Sequence, residues 1–241
     1  MLLAIDIGNA NIHFGLFDGM ELARASAVPC ANPDALPEAV GDASVTGIAL
    51  ASVAPTVSER LISMLGMRYG MPVLLAGRDL PYGIDIQCDA PENVGADRIL
   101  NAVAAYRRTE RATIVADIGS AVTVDLVSAR GSFCGGAIAP GPGLMAKALH
   151  EHTEQLPQAV LSEPPPPLGR DTHAAIRAGV YWGTVGLVDR LIAEMARSHG
   201  VPEAALIAGG AGAWVAPLLK SEAEFVPHLT LEGLAILARR G

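Results

Sequence analysis

The strongest constraint on the fold of this chain is an internal repeat. Residues 3–17 read LAIDIGNANIHFGLF, and residues 114–128 read IVADIGSAVTVDLVS. Each copy has an apolar strand, an Asp-Ile-Gly turn and a second apolar stretch. Asp6 corresponds to Asp117, and the offset of 111 residues is close to half of the 241-residue chain. The repeat therefore predicts two related halves, each opening with a hairpin whose turn carries an aspartate.

Composition and charge exclude several classes of protein. The chain is 51% hydrophobic and only 17% charged, which is the composition of a folded domain and not of a disordered chain. Its net charge of −8 disfavours general binding to nucleic acid. No apolar run is long enough to span a membrane, and the start MLLAIDIGN does not resemble a signal peptide. Cys30, Cys88 and Cys134 lack metal-ligand spacing, so we expect reduced, mostly buried thiols in a cytoplasmic protein.

Apolar runs and turn signals alternate along the chain in the way of an α/β protein. With the repeat, they predict two domains, at residues 1–111 and 112–241. The predicted strands are 2–7, 11–17, 20–28, 45–53, 72–75, 112–117, 120–128, 132–139 and 204–208, and the predicted helices are 33–41, 55–67, 92–108, 144–151, 172–198, 211–219 and 230–240.

The two Asp-Ile-Gly turns are candidates for binding a nucleotide. A buried Asp at a strand end is costly unless it binds something, and Gly8 and Asn9 tolerate unusual backbone angles. We expect the backbone N–H groups of Gly8, Asn9 and Ala10 to bind phosphate oxygens and Asp6 to hold Mg²⁺. The alternative is that each turn is only a hairpin with a capping Asp.

A second candidate is the tetrapeptide Gly95-Ala96-Asp97-Arg98. In a functional interpretation Asp97 is the general base on a substrate hydroxyl, and Arg98 binds an anionic group of the substrate. In the alternative, the two charges are an exposed pair on an amphipathic helix. The pattern Gly141-x-Gly143-x-x-Ala146 formally matches a dinucleotide fingerprint, but Pro142 removes one N–H, so we interpret it as a helix entry.

Taken together, the motifs resemble type III pantothenate kinase, and the resemblance covers nearly the whole chain. The ordered set is specific, although any one piece is not. It consists of DIGNANIHFGLFDG at 6–19, ENVGADRILNAVAAY at 92–106, DIGSAVTVDLV at 117–127, GSFCGGAIAPGPGLMAKALHEHTEQLP at 131–157, LGRDT at 168–172, AGVYWGTVGLVD at 178–189 and LTLEGL at 229–234.

The resemblance implies two RNase H-like domains of the actin-like ATPase type, with mixed sheets flanked by helices. It implies ATP-dependent phosphorylation of pantothenate, the first step of coenzyme A biosynthesis, by a cytoplasmic homodimer that binds neither nucleic acid nor membrane. ATP is the implied co-substrate, with Mg²⁺ and a monovalent cation, K⁺ or NH₄⁺, as cofactors.

The resemblance also assigns residues. The implied nucleotide-binding residues are Asp6, Ile7, Gly8, Asn9, Ala10, Asn11, Ile12, His13 and Ser120, with Asp6 on Mg²⁺ and Asp117 on the monovalent cation. The implied substrate-binding residues are Cys88, Gly95, Ala96, Asp97, Arg98 and Thr172, with Asp97 as the catalytic proton acceptor. Thr172 or Asp171 also suits a helix N-cap.

Ser120 replaces a usual threonine of the family and keeps its hydroxyl, whereas three other residues that depart from the pattern of the family lose one. Ala10 and Val122 each stand where a threonine is usual, and Cys88 stands where a tyrosine is usual. Lost hydrogen bonds to charged groups cost about 1.5–3 kcal/mol each. Two alternatives to an active pantothenate kinase therefore stay open: a weakened ligand-binding homologue with a regulatory role, and a kinase of another small hydroxy acid.

Overall fold

The computed structural model describes residues 1–161 and 163–240, and in that part of the chain two five-stranded sheets carry the fold. Ser162 and Gly241, which belong to the predicted second domain, lie outside the described residues. The strands are β1 (Leu2–Ile7), β2 (Asn11–Asp18), β3 (Glu21–Pro29), β4 (Gly47–Ser52), β5 (Val73–Leu75), β6 (Thr113–Ile118), β7 (Ala121–Val127), β8 (Phe133–Pro140), β9 (Ala204–Ala208) and β10 (Glu222–Phe225). The helices are α1 (Leu36–Val40), α2 (Pro55–Tyr69), α3 (Ala96–Thr109), α4 (Pro142–Glu151), α5 (Thr172–His199), α6 (Gly212–Val215) and α7 (Leu229–Arg240).

The two sheets share one topology, which is the structural form of the sequence repeat. The first sheet has the order β3-β2-β1-β4-β5, and the second has the order β8-β7-β6-β9-β10 when read from the same edge. In each, the opening strand pairs antiparallel with the next strand and parallel with a strand that follows a helical connection. The prediction of an α/β protein with two repeated mixed sheets is confirmed.

The two repeats differ by one residue at the turn. Ile7 pairs with Ile12 in the first hairpin, whereas Ile118 pairs with Val122 in the second. The constant offset of the sequence repeat therefore holds up to the glycine and shifts by one residue after it. Neither Gly8 nor Asn9 has a positive φ, so the expectation of unusual backbone angles at that turn is wrong.

The chain forms two compact units whose membership is not a simple division of the sequence. The first contains residues 1–108, the short stretch Gly131–Phe133 and everything from His228 onward; the second contains Thr109–Arg130 and Cys134–Pro227. Helix α7 contacts β1, β2 and β4, so the end of the chain packs in the first unit. The predicted division into residues 1–111 and 112–241 therefore misses the last helix, which belongs to the first unit.

Each unit has its own apolar core. In the first, Leu3, Ile5 and Ile7 of β1 pack with residues of α1 and α2. In the second, the inward residues of β6 and β7 pack against one side of α5, through Val188 and Ile192 among others. Residues 3–5 of β1 and 114–116 of β6 are all buried, so these central strands carry continuous apolar runs, as strands covered on both faces do.

Two sequence-based element predictions need correction. The region 211–219 forms only the short helix α6 and a 3₁₀ turn at Ala216–Leu218, because Pro217 interrupts the backbone hydrogen bonds. Helix α3 begins at Ala96, since Pro91–Asn93 is a separate 3₁₀ turn. The sequence analysis missed strand β10, whose sequence EAEF alternates polar and apolar residues but is short and mostly exposed; the strand forms by parallel pairing with β9. Across the described residues, no helix combines the length and the apolar character that crossing a membrane requires.

Helix α7 packs against α3 through a close backbone contact at Gly233. A Cβ at Gly233 would lie 2.3 Å from the carbonyl oxygen of Leu100. We predict that Gly233→Ala lowers the free energy of unfolding by about 1–3 kcal/mol, because the backbone of α3 cannot move away cheaply. Chemical denaturation measures this change.

Gly66→Ala is the matched control, since Gly66 also lies in a helix of the first unit. Its added methyl would meet only an ordinary contact, 3.7 Å from the carbonyl oxygen of Met71. We expect its stability to be unchanged or higher by up to about 1 kcal/mol, from the better helix propensity of alanine. Equal stabilities for the two variants would contradict the contact.

Candidate functional site

The first Asp-Ile-Gly turn places a half-buried carboxylate at the end of the central strand of its sheet. Asp6 lies on β1 directly opposite His13 of β2, so both side chains project from the same face. The N–H of Gly8 donates to the carbonyl of Asn11 at 3.0 Å and closes the hairpin. The expectation that Gly8 donates to phosphate is therefore not supported, because its N–H is committed to the turn.

Cys30 fastens this turn from the end of β3, a role that the sequence did not indicate. Its N–H donates to the carbonyl of Ala10 at 2.9 Å, and its Sγ donates to the carbonyl of Gly8 at 3.2 Å. Since N–H and C=O point in opposite directions across a trans peptide, these bonds aim the N–H groups of Asn9 and Asn11 away from Cys30. Partial burial, and then the Asp6 carboxylate, raise the pKa of the thiol, which keeps its proton available for donation.

The burial of the three cysteines and the pKa of His13 differ from what the sequence alone indicates. All three cysteines are free thiols, as predicted, but they are half-buried and not fully buried. His13 is an exposed side chain in a region crowded by protein, and desolvation followed by the nearby His228 lowers its pKa. At neutral pH His13 is therefore mostly neutral and does not neutralise Asp6.

The second turn is enclosed by backbone on two sides. The N–H of Gly141 donates to the carbonyl of Ser120 at 3.0 Å. The N–H of Ala211 donates to the carbonyl of Ile118 at 3.0 Å. A Cβ at Gly209, whose φ is +81°, would lie 2.5 Å from the Oδ1 of Asp117. The half-buried Asp117 thus has a glycine backbone against its carboxylate, and Ser120 is exposed at the tip of the turn.

A cavity of about 400 Å³ opens beside this second turn, within the second unit. Its floor includes Trp214, whose ring stacks on Tyr181 with 4.2 Å between centroids. The lining residues are Pro142, Gly143, Ala146, Lys147, Gln158, Ala159, Leu161, Gly210, Ala211 and Trp214. The sequence analysis missed this cavity; the signal that was available is the Gly209-Gly210 pair directly after strand β9.

The Gly-Ala-Asp-Arg motif forms the start of α3 in the first unit. Asp97 lies in the first helical turn, where a carboxylate is favoured by the helix dipole, and its Oδ1 accepts from the N–H of Arg98 at 2.9 Å. A Cβ at Gly95 would lie 2.5 Å from that same oxygen and 3.8 Å from Val53, just beyond β4. Gly95 and Ala96 thus give the carboxylate room at the carboxyl end of the sheet, where ligands bind in open α/β folds.

Arg98 is oriented by an aromatic ring that the sequence analysis did not single out. Its guanidinium carbon lies 5.2 Å from the ring centroid of the fully buried Phe133. Phe133 pairs with the loop before α3, accepting from the N–H of Gln87 at 2.8 Å and donating to the carbonyl of Asp85 at 2.9 Å. The half-buried Cys88 directly follows this pairing, so the loop is held next to the motif.

Thr172 is an exposed residue at the start of α5 in the second unit. The helix cap is Asp171, whose Oδ1 accepts from the N–H of Ala174 at 2.8 Å. Thr172 therefore does not cap the helix, and its hydroxyl is at the surface. Its assigned role in binding the same substrate as Asp97 stays a prediction.

The donor set fits a metal ion that is held mainly by a nucleotide. Within the described residues, no group of three or more His, Cys, Asp or Glu side chains is placed to hold a metal ion. Asp6 and Asp117 each offer one half-buried carboxylate. Mg²⁺ usually keeps several waters and binds one or two carboxylates plus phosphate oxygens, so a single carboxylate is compatible with it.

Comparison with known proteins identifies the family. The model of the type III pantothenate kinase family matches residues 2–194. The chain is a member of that family. It is 36% identical to the type III pantothenate kinase of Anaeromyxobacter sp. strain K, an alignment that covers 100% of this chain and 99% of the relative. It is also 36% identical to that of Geobacter sulfurreducens, with 100% and 99% covered.

Solved structures support the fold of this pantothenate kinase family member. A Campylobacter jejuni protein described as a Baf family transcriptional activator matches with a TM-score of 0.64 and 21% identity, over 99% of this chain and 98% of that one. A glucokinase of the ROK family from Streptomyces griseus matches with a TM-score of 0.58 and 13% identity, over 100% and 99%. The predicted α/β fold of two domains, with mixed sheets flanked by helices, is confirmed, and likenesses at this level of identity show nothing beyond the fold.

The close packing at Gly141 allows a test of the second turn. A Cβ there would lie 2.1 Å from the carbonyl oxygen of Gly119 and 2.6 Å from that of Ser120, while its φ of −71° suits alanine. We predict that Gly141→Ala lowers the free energy of unfolding by about 1–3 kcal/mol through this overlap alone.

Gly143→Ala serves as the control, because a Cβ at Gly143 would meet nothing within 4 Å. Thermal unfolding of both variants is the measurement. A Gly141→Ala protein as stable as Gly143→Ala would show that the backbone contact with the second turn is absent.

Proposed function

We propose that this chain transfers the terminal phosphoryl group of ATP to pantothenate and so begins coenzyme A biosynthesis. The observation that carries the proposal is the arrangement of Asp97 and Arg98 at the start of α3. One carboxylate oxygen is fixed by the N–H of Arg98, and the Arg98 side chain is oriented by Phe133. A fixed base beside a cation is what an acceptor with both a hydroxyl and a carboxylate requires.

Asp97 removes the proton of the acceptor in this mechanism. The primary hydroxyl oxygen of pantothenate forms a bond to the terminal phosphorus of ATP, and the bond from that phosphorus to the bridging oxygen breaks, so ADP leaves. The hydroxyl proton passes to the Oδ2 of Asp97, since Oδ1 accepts from the backbone. Arg98 binds the carboxylate of pantothenate, and the remainder of the catalysis is positioning and charge neutralisation.

Each unit is proposed to supply its own part of nucleotide binding. The N–H groups of Asn9 and Asn11, aimed away from Cys30, are the phosphate donors of the first turn. The hydroxyl of Ser120 contributes at the second turn, and the cavity over Trp214 receives the base, because its volume lies in the usual range of ligand sites. Mg²⁺ bound near Asp6 supplies neutralisation of phosphate charge.

The first prediction for this function concerns Asp97. Asp97→Asn is nearly isosteric and keeps an oxygen that accepts from the N–H of Arg98. We expect kcat to fall by about 100-fold or more, the usual contribution of a general base, with little change in stability. A coupled assay of ADP formation with pantothenate and ATP measures kcat.

The control is Asp42→Asn, which removes a charge from an exposed position of the same unit. It should keep the wild-type rate. An Asp97→Asn enzyme that retains more than about a tenth of wild-type kcat is incompatible with a general base. A panel of small hydroxy acids in the same assay decides between pantothenate and the other acceptors that Cys88 leaves open.

We further propose that Asp117 holds a monovalent cation, K⁺ or NH₄⁺. An aspartate beside a phosphate repels it by several kcal/mol in a partly dry site, and a bound cation cancels that repulsion. Asp117 is half-buried against Gly209, so little solvent screens it from that side. The cation also adds positive charge where the transition state needs it.

We predict that activity rises with K⁺ and that Asp117→Asn loses this response and raises the KM for ATP. KCl is titrated at constant ionic strength, with a large organic cation as replacement. Equal wild-type rates with and without K⁺ would refute the cation role. A purely structural Asp117 would change stability and leave the salt response as it is.

We also propose a homodimer formed through the second unit. In the apolar segment 135–149, Ile138 is 64% exposed and Leu144 is 50% exposed. On α5, the glycines at 179, 183 and 186 form one exposed stripe on which a Cβ would meet nothing within 4 Å. Apolar side chains and a smooth helix face together suit close contact with a second copy of the chain.

Sedimentation at micromolar concentration should show the dimer, and Gly183→Arg should shift it to monomer, because a long charged side chain projects from the stripe. A wild-type protein that sediments only as a monomer would exclude the homodimer.

We place the enzyme in the cytoplasm, where ATP is available and where three free thiols stay reduced.

A further inference from the structure

Tyr82 packs closely against a glycine in the loop that follows β5. A Cβ at Gly77 would lie 2.8 Å from the hydroxyl oxygen of Tyr82 and 2.9 Å from its Cε2 and Cζ atoms. The φ of Gly77 is +80°, a conformation that other residues rarely adopt. The outer half of the tyrosine ring therefore rests on a bare glycine backbone, which leaves room for the phenol.

The turn that supports this ring is fixed. The N–H of Gly77 donates to the carbonyl of Leu80 at 2.8 Å, and the N–H of Leu80 donates to that of Leu75 at 3.0 Å. Leu80 itself is 1% exposed and anchors the loop in the first unit. A half-buried ring on a fixed turn has little freedom, so the hydroxyl of Tyr82 is held in one place.

The hydroxyl of Tyr82 lies within electrostatic reach of the proposed base. Partial burial, and then the negative charge of Asp97, raise the pKa of Tyr82. The phenol therefore keeps its proton at neutral pH and is available as a hydrogen-bond donor. Its ring lies on Gly77, just after β5, and Asp97 lies beside Gly95, which is close to Val53 just after the parallel neighbouring strand β4; both side chains therefore stand at the carboxyl end of the first sheet.

A few residues later, the same loop pairs with the phenylalanine that contacts Arg98. Its residues 85 and 87 pair with Phe133, under the guanidinium of Arg98, and Cys88 follows. A thiol is a weak hydrogen-bond donor. The side-chain amide of Gln87 donates to Asp85 at 2.9 Å, so Tyr82 is the side chain of this loop that we consider as a donor to the substrate.

We propose that Tyr82 is a substrate-binding residue, whose phenol donates a hydrogen bond to an oxygen of the hydroxy acid acceptor next to the hydroxyl that faces Asp97. Pantothenate has such an oxygen, the secondary hydroxyl, whose carbon is separated from the carbon of the reacting hydroxyl by one quaternary carbon. This assignment rests on the proposed function. It makes Tyr82 a determinant of acceptor binding and leaves ATP binding to other residues.

Tyr82→Phe tests the assignment because it removes only the hydroxyl and keeps the ring on Gly77. We expect the KM for pantothenate to rise about 3–10-fold, as loss of one neutral hydrogen bond implies, with the KM for ATP unchanged. Calorimetric titration with pantothenate should show the same loss of affinity. Packing of the ring alone would move neither value.

Tyr69→Phe is the matched control, since Tyr69 lies in the same unit and its buried hydroxyl has no partner among the described residues. Its kinetic constants should equal those of the wild type. If the wild type phosphorylates pantothenate and Tyr82→Phe keeps its KM within 2-fold, the assignment of Tyr82 is overturned by itself. A wild type that neither binds nor phosphorylates pantothenate overturns the proposed function and the assignment of Tyr82 with it.

Discussion

Close approach of bare backbone to the functional groups is the constraint on which this structure depends. Gly95 and Gly209 each lie where a Cβ would come within 2.5 Å of an aspartate oxygen, of Asp97 and Asp117 respectively. Gly141 lies where a Cβ would overlap the second turn. Only glycine permits such contacts without displacement of the backbone, so the shape of the second turn and of the motif is encoded as much by missing side chains as by those present.

The position of the Gly-Ala-Asp-Arg motif depends on helix α7, more than a hundred residues later in the sequence. Helix α3 carries Asp97, and α7 packs against α3 through Gly233 and two polar contacts. The hydroxyl of Thr230 donates to the buried Asn101 at 2.8 Å. Arg108 donates twice to Glu232, at 2.8 and 2.7 Å. The ion pair is partly exposed and contributes little, about 0–1 kcal/mol, so the close helix contact and the buried hydrogen bond are the main sources of rigidity.

Local pattern made most of the fold predictable, and long-range pairing accounts for what was missed. The central strands β1 and β6 carry short continuous apolar runs, which are typical of strands covered on both faces. Strand β10 gives a weaker signal: its residues, EAEF, alternate, but the strand is short and mostly exposed because it is an edge strand with one neighbour. The return of α7 to the first unit follows from contacts more than a hundred residues apart, which no local signal in the sequence reports.

The site was predictable at its motifs and not at the residues that support them. Asp6, Asp97 and Asp117 stand in recognisable sequence contexts, and the structure places each at a strand end or a helix start. Cys30 and Tyr82 have no such context: one contacts the first turn from a neighbouring strand, and the other rests on a glycine five residues away. Their roles come from pairing and loop geometry, which a single sequence does not reveal.

The two turns also show why a sequence repeat does not imply equal roles. The first turn is one residue longer and is held by its own backbone hydrogen bond and by the N–H and thiol of Cys30, whereas the second is enclosed by the backbones of Gly141 and Gly209. The surroundings of the two half-buried carboxylates, Asp6 and Asp117, therefore differ, although their places in the repeat are the same.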